Sequence, residues 1–246
     1  MKVFVVFGSK SDENISLPLV DALKPHFDTE YEVISAHRDL EKLQHKMNTW
    51  QGDAVIAGAG LAAALPGVVA AMVQIPVFGV AVPSQFGGLD SFASIAQMPP
   101  GVPVMTAGPQ KPDAIVAFLK KYKTAATPAK IHFITRTETP DILADIEKAR
   151  VAAKEKGAEV SHGAQPAADA FNVRLVMGDN DIQPDDYCLH VPVVAKSDVA
   201  NPESYVQLLN WSNRGGLWVG ANNTRNAVHA ALRLSVTAKQ AQGRAA

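Results

Sequence analysis

The chain has 246 residues, 47% of them hydrophobic and 19% charged, with a formal net charge of −1. That balance belongs to a globular chain rather than a disordered one, and it leaves no basic footprint for nucleic acid or an anionic membrane. No apolar run approaches the ~20 residues that span a bilayer, and the lone Cys188 excludes an internal disulfide and a multi-cysteine metal site, as expected of a protein of the reducing cytoplasm.

Strand and helix patterns alternate from the start. Residues 3–7 are a continuous apolar run ending at Gly8, the pattern of a buried parallel strand. The run is short and leads straight into Gly8-Ser9-Lys10-Ser11-Asp12, so it reads as a first strand and not as a signal peptide. Ile15, Leu17, Leu19, Val20, Leu23 and Phe27 recur at helical spacing, with Pro18 expected in the first turn. Residues 31–34 read as a second strand, and 40–50 as a helix with Leu40, Leu43 and Met47 on one face. Residues 53–57 read as a third strand, followed by Gly58-Ala59-Gly60. An Ala-rich helix is expected over 62–72, interrupted near its start by Pro66-Gly67, and then a fourth strand over 75–80. This alternation predicts an α/β fold: a three-layer αβα arrangement around a flavodoxin- or Rossmann-like parallel sheet. Sites in such sheets lie at the carboxyl ends of the strands, which points to residues 8–12, 35–38 and 58–60.

Residues 123–130 have small side chains, a proline and no periodicity, and read as a linker. Beyond it a strand is expected over 130–134 and a helix over 141–156, with Ile142, Ile146, Ala149 and Ala153 as its apolar stripe and Gly157 as its stop. The halves echo each other. Ile75-Pro76-Val77 leads to a helix over 89–95 and then to Pro100-Gly101-Val102-Pro103-Val104, while Val191-Pro192-Val193 leads to a helix over 203–209 and then to Gly215-Gly216-Leu217-Trp218-Val219. Each series closes on a helix, 112–122 and 224–235. The expectation is a duplicated unit, with domains at 1–124 and 130–246.

Several groups read as structural. His132 sits inside an apolar strand and is expected to be a satisfied core histidine, and Trp218 a core residue. His26, His45, His190 and His229 show no metal spacing. Lys120-Lys121-Tyr122-Lys123 reads as a solvated helix end, residues 210–213 as lying near an interface, and the tail 239–246 as frayed.

The small residues of Gly8-Ser9-Lys10-Ser11-Asp12, between a strand and a helix, allow hydroxyl and backbone N–H groups to approach an anion. Taken alone, such a loop reads first as a helix-capping turn without any ligand. In Ser35-Ala36-His37-Arg38, Arg38 offers a planar fork suited to phosphate and His37 a proton carrier near neutral pH; a solvated surface pair is the plain alternative.

Taken in order, Gly8-Ser9-Lys10-Ser11-Asp12, Ser35-Ala36-His37-Arg38, Ala57-Gly58-Ala59-Gly60, Leu65-Pro66-Gly67, Gly88-Leu89-Asp90-Ser91 and Gln97-Met98-Pro99-Pro100-Gly101-Val102-Pro103-Val104 closely resemble the PurE family. That family comprises N5-carboxyaminoimidazole ribonucleotide mutases and the related aminoimidazole ribonucleotide carboxylases. The resemblance is close over residues 1–107. In the second half it rests on Asn222-Asn223-Thr224-Arg225-Asn226-Ala227 and Ala230-Ala231-Leu232-Arg233-Leu234, which look like the family's C-terminal helix.

The resemblance implies that Gly8, Ser9, Ser11, Asp12, Ser35, Ala36 and Arg38 hold the ribose and 5′-phosphate, that His37 is the acid/base, and that Ala57, Gly58, Ala59 and Gly60 line the place of the imidazole ring and carboxyl group. It implies a carboxyl shift in purine biosynthesis, from N5-carboxyaminoimidazole ribonucleotide to 4-carboxy-5-aminoimidazole ribonucleotide, through carbon dioxide and without metal or organic cofactor. Direct carboxylation of aminoimidazole ribonucleotide, a PurE-like carboxylation of a pyridine nucleotide and an inactive nucleotide-binding scaffold are the alternatives. Two positions depart from the mutase pattern Gly-Gly-Ala-Ala-His-Leu-Pro-Gly, since Leu61 replaces a glycine and Ala64 the histidine. Arg38 after the histidine is mutase-like, because the carboxylase class usually carries lysine there.

The second copy lacks the site residues. Its first strand leads to Thr135-Arg136-Thr137-Glu138, Val160-Ser161-His162-Gly163 lacks the arginine, and Met177-Gly178-Asp179-Asn180 is a poor counterpart of the glycine loop. One working site per chain is expected, with the second copy as scaffold. Because the family assembles as octamers of single units, the resemblance implies a homotetramer that imitates eight units.

Overall fold

The alternation of buried apolar runs and amphipathic stretches folds into ten strands and eight α-helices among the described residues. The computed structural model describes the backbone of residues 1–124, 130–183 and 188–245. The first half runs β1 (Lys2–Phe7), α1 (Glu13–Leu23), β2 (Asp28–Val33), α2 (Leu40–Thr49), β3 (Ala54–Ala59), α3 (Leu65–Met72), β4 (Val77–Ala81), α4 (Leu89–Ala96), β5 (Met105–Ala107) and α5 (Asp113–Thr124). The second runs β6 (Lys130–Ile134), α6 (Pro140–Lys154), β7 (Glu159–Gly163), β8 (Phe171–Val176), β9 (Leu189–Pro192), α7 (Pro202–Ser212), β10 (Leu217–Trp218) and α8 (Thr224–Ala245).

All ten strands join one sheet in the order β2-β1-β3-β4-β5-β10-β9-β8-β6-β7. Within each half the pairing is parallel, and the halves meet where β5 and β10 pair antiparallel through Leu217↔Ala107 and Trp218↔Thr106. Read outward in, the second half repeats the strand order of the first. Strand side chains alternate between two cores. Val3, Val5 and Phe7 join Leu19, Leu23, Ile115, Leu119, Ile142, Ile146 and Leu234 on one face. Phe4 and Val6 join Leu43, Met47, Val69, Phe92, Ile95, Leu208 and Trp211 on the other. Helices on both faces of a mostly parallel sheet make the expected three-layer α/β architecture.

Several details differ from the sequence reading. Pro18 lies inside α1 and not in its first turn, because the helix already starts at Glu13, directly after a short 3-10 turn over Lys10–Asp12. The third helix starts at Leu65 rather than Ala62, with Pro66 in its first turn, where a missing N–H does no harm. Leu40 is 43% exposed and not on the buried face of α2. Tyr122 is buried, and its hydroxyl donates to the Leu234 carbonyl, so the end of α5 is only partly solvated. Of the expected linker, Lys123 and Thr124 belong to α5, Lys130 opens β6, and residues 125–129 lie outside the described residues. The backbone of the tail expected to fray continues as α8 to Ala245.

Other expectations hold. Ile142, Ile146, Ala149 and Ala153 are buried on α6, and Gly157 after it has φ +70°, a left-handed stop that favours glycine. His132 is satisfied on both ring nitrogens, by Ser161 Oγ at 2.8 Å and the Gln165 carbonyl at 3.0 Å. Trp218 is fully buried, and its Nε1–H donates to the Gly215 carbonyl.

The halves also interlock through side chains. Asn226 donates to the carbonyls of Met98 and Pro99 and accepts from the Gly101 N–H, Asn223 donates to the Met98 carbonyl, and Arg233 donates to the Ala70 carbonyl near the end of α3. Asn213, at the end of α7, joins the halves as well, its Oδ1 accepting from the Gln110 N–H.

One buried acid works against this packing. Asp145, on α6, is almost fully buried; Oδ1 meets Lys148 at 2.6 Å and Oδ2 has no hydrogen-bond partner among the described residues. Burial raises its carboxyl above the usual range, and the adjacent Lys148 only partly offsets this. The native state therefore favours the protonated form, and stability falls as pH rises from the ordinary carboxylate range through the raised native value. We expect Asp145→Asn to melt roughly 2–4 °C higher at neutral pH, the shift that about 1 kcal/mol produces in a chain of this size. The gap should close on acidification toward pH 4, as thermal melts across a pH series would register.

Candidate active site

The strand order places the site. The chain passes from β1 to β2 on one side and then to β3 on the other, which leaves a crevice over the carboxyl ends of β1 and β3. A cavity of about 520 Å³ occupies it, walled by the tips of β2, β1, β3 and β4. Gly8, Ser9, Ser11, Asp12, Ser35, Ala36, His37, Arg38, Ala59 and Gly60 line this single cavity.

At the β1 tip, Gly8 N–H continues the ladder to the Gly58 carbonyl at 3.1 Å, and the chain then turns away. Ser9 caps the short turn, its Oγ accepting from the Ser11 N–H at 3.2 Å. The Ser11 hydroxyl lies 2.8 Å from Ser9 Oγ and 2.9 Å from Asp12 Oδ1. Asp12 occupies the N-cap position of α1, but its side chain makes no capping bond. The capping alternative thus fails for Asp12, whose buried carboxylate borders the cavity as an acceptor instead.

At the β2 tip, buried Ser35 shapes the loop. Its Oγ accepts from the His37 N–H at 3.3 Å and its carbonyl from the Asp39 N–H at 2.9 Å. This turn is of the kind serine stabilises, and it presents His37 and Arg38, both exposed, side by side at the cavity. The plain reading of a surface pair describes their exposure but not their convergence with Ser9, Ser11 and Asp12.

The β3 tip needs a correction. Ala57 and Gly58 are strand residues beneath the cavity and do not line it. Gly58 is glycine because of packing: a Cβ there would sit 2.2 Å from the Phe7 ring. The lining comes from Ala59 and Gly60 and continues through Leu61, Ala62, Ala64 and Leu65. Ala62 has φ +50°, and the Ala64 N–H folds back to the Ala62 carbonyl at 2.6 Å, so the loop turns tightly before α3 begins. Ala64, where the mutase pattern has histidine, gives this wall a methyl group instead of a polar side chain.

Sequence reasoning also missed Asn14 and Ile15 in the first turn of α1, and Val82, Pro83 and Ser84 at the tip of β4. Asn14 lies three residues beyond Ser11, a spacing that would have signalled it. For the β4 tip the signal was the strand break at Pro83, which reveals nothing until the strand order is known.

At the tips of the second half the polar groups turn on one another. Thr135 Oγ1 donates to the Thr137 carbonyl at 2.7 Å, Arg136 to the Asn180 carbonyl, and His162 Nε2 lies 3.3 Å from Glu138. Asp179 Oδ1 accepts from Trp211 Nε1 at 2.6 Å, and Asp181 Oδ2 from the Met177 and Gly178 N–H groups. His162 lies inside β7, whereas His37 lies four residues past the last registered pair of β1 and β2, Phe7↔Val33. The same count from Ile134↔Gly163 leads to Ala167. Among the described residues, no group of three or more His, Cys, Asp or Glu side chains is placed to hold a metal ion, and no helix is long and apolar enough to cross a membrane.

Comparison with known proteins follows the same stretch of chain. The model of the AIR carboxylase family matches residues 2–150. An N5-carboxyaminoimidazole ribonucleotide mutase of Pyrococcus abyssi is 47% identical over 113 residues, 44% of this chain and 64% of that protein's length. One of Saccharolobus solfataricus is 44% identical over 140 residues, 52% of this chain and 88% of that protein. A phosphoribosylaminoimidazole carboxylase of Candida glabrata is 45% identical over 117 residues, 42% of this chain and 19% of that much longer protein.

Proposed function

The chain belongs to the AIR carboxylase family, and we propose that it moves a carboxyl group onto an aminoimidazole ribonucleotide in purine biosynthesis, acting as an N5-carboxyaminoimidazole ribonucleotide mutase. The observation that carries this reading is the convergence, in one cavity, of a hydroxyl- and arginine-bearing end and an alanine- and glycine-walled end with His37 beside them. In this reading Ser9, Ser11, Asp12, Ser35 and Arg38 hold the phosphoribosyl group, with Gly8 and Ala36 at its edge. Ala59 and Gly60 form a close, weakly polar wall at the ring.

The carbamate N–C bond breaks, its electron pair returning to the exocyclic nitrogen, and carbon dioxide is held in the pocket. Ring C4 attacks that carbon dioxide and forms the new C–C bond. His37 takes the C4 proton, and the exocyclic nitrogen regains one, so atoms and charge balance. Excluding water and holding carbon dioxide beside C4 are the main contributions of such walls.

The direct carboxylase is the second reading, favoured by Ala64 at the ring wall and by the Candida glabrata relative's name. Supplying the purified chain with either the carbamate or the free ribonucleotide plus bicarbonate separates the two, and turnover of neither rejects both. Arg38→Ala should raise KM about 10- to 100-fold while changing kcat far less, as loss of a charge-assisted phosphate contact does. Steady-state kinetics with the productive input checks it.

Residues 1–124 carry the site in this proposal, and residues 130–246 are a duplicated unit that has become scaffold. The repeated strand order supports the duplication. Four chains would then supply eight units, and a homotetramer is the expected mass by light scattering. A cytoplasmic location suits the single buried cysteine.

A further inference from the structure

Behind the cavity wall sits a carboxylate that the proposed chemistry does not use. Asp90, in the first turn of α4, accepts a hydrogen bond from Ser84 Oγ on Oδ2 at 3.3 Å. Its Oδ1 is buried and has no hydrogen-bond partner among the described residues. Burying an unpaired carboxylate oxygen is unfavourable, and the amino end of α4 offsets only part of that.

Both ends of the surrounding loop are tied to α4. The Ser91 hydroxyl lies 2.9 Å from the Val82 carbonyl and 3.0 Å from that of Gly88, which ties the β4 tip to α4. Gly88 has φ +88°, and a Cβ there would meet the Pro109 ring at 2.8 Å. Ser84 is packed beside the ring wall, since a Cβ on Gly60 would lie 3.5 Å from the Ser84 Cβ.

A serine hydroxyl carries one proton. With that proton directed to Asp90, Ser84 shows the cavity only lone pairs, so it accepts hydrogen bonds there. Its place along the sheet selects the ligand group. The order β2-β1-β3-β4 sets the β4 tip three strand spacings, roughly 14 Å, from the β2 tip that bears Arg38. A phosphoribosyl ligand anchored at Arg38 and Ser9 would point its heterocycle at Ser84. We infer that Ser84 reads the heterocycle by accepting a hydrogen bond from its exocyclic amino group, and that Asp90 is the positioning residue that keeps the hydroxyl turned for this. The inference rests on the ribonucleotide reading above.

Calorimetric titration of the full chain with aminoimidazole ribonucleotide and, separately, ribose 5-phosphate tests it. Ser84→Ala should weaken the ribonucleotide about three- to tenfold, the worth of one neutral hydrogen bond, and leave ribose 5-phosphate within about twofold. Asp90→Asn should weaken the ribonucleotide in the same direction. The double variant should be no weaker than Ser84→Ala alone, because Asp90 acts only through Ser84. A merely structural Asp90 would add its own loss in the Ser84→Ala background, and that result would overturn the positioning role. Equal losses for both ligands, or none for either, would overturn the ring-reading role. If the unaltered chain binds neither ligand, the phosphoribosyl reading itself falls, and this inference falls with it.

Discussion

Replacing His37 with alanine is expected to lower turnover on the productive carboxyl donor by about 10²- to 10⁴-fold, the usual contribution of a positioned general acid/base, while ribonucleotide binding survives. The expectation follows from what else lines the cavity. The other ionisable side chains there are Asp12 and Arg38. Arginine does not release a proton in proteins, and Asp12 sits at the β1 tip beside Ser9 and Ser11, committed as an acceptor to the Ser11 hydroxyl. With alanine at position 64, the described residues of the ring wall include no second imidazole to stand in. The Ser35 contact that shapes the loop goes to the backbone N–H of His37, which alanine retains. The variant should therefore keep the loop, the phosphate contacts and the affinity, and lose only proton transfer. Single-turnover rates together with a binding titration distinguish this from unfolding. A variant that turns over at more than about a tenth of the unaltered rate would remove His37 from the reaction.

The parts of this site that the sequence revealed share one property: they are short polar or glycine-rich breaks directly after apolar runs. Gly8-Ser9-Lys10-Ser11-Asp12 and Ser35-Ala36-His37-Arg38 fit that description, and the three-layer fold follows from the alternation that surrounds them. The parts it concealed depend on neighbours distant in sequence. Gly58 looks like a ligand-facing glycine until the Phe7 ring is seen lying against it. Ser84 joins the wall because β4 pairs with β3 beside the crevice, a choice of neighbour that no local pattern encodes. Tyr122 sits in a run of lysines and reads as solvated, yet α8, more than a hundred residues later, covers it. Helix starts are less legible: α1 already begins at Glu13, five residues before Pro18, and a tight turn at Ala62–Ala64 holds the start of α3 back to Leu65. The similarity between the halves is legible as an order of elements. What no order of elements shows is the single ten-stranded sheet closed by an antiparallel seam, because it depends on the β5–β10 pairing, which spans only two residue pairs.

That seam is short enough for one added methyl group to test it. Gly108 follows β5 directly, and a Cβ there would lie 2.3 Å from the Ser212 carbonyl oxygen and 2.4 Å from its carbon. Both atoms are backbone at the end of α7, so no side chain can rotate aside. The Ser212 carbonyl is also held by the Gly215 N–H at 3.1 Å, and the Gln110 N–H by Asn213 Oδ1. Gly108 lacks a left-handed φ, so alanine meets no backbone penalty and the effect is purely steric. Overpacking at an unyielding contact costs about 3 kcal/mol at the upper end of the usual range. We therefore expect Gly108→Ala to melt roughly 6–12 °C lower, at the 2–4 °C per kcal/mol typical of this chain length. Gly178→Ala is the matched control: its φ is −160°, no atom of the described residues beyond its chain neighbours lies within 4 Å of the added Cβ, and the change should stay within about 0.5 kcal/mol. Below the melting transition, Gly108→Ala should retain turnover, because the cavity lies over β1–β4 and not over the seam. Calorimetry adds a second distinction. A single broadened or lowered transition means that both halves unfold together across the shared sheet, and two resolved transitions mean that the seam has come apart first. An unchanged melting temperature would mean that α7 does not rest on the end of β5, and that some other contact, such as the Asn223 and Asn226 grip on Met98 and Pro99, joins the halves.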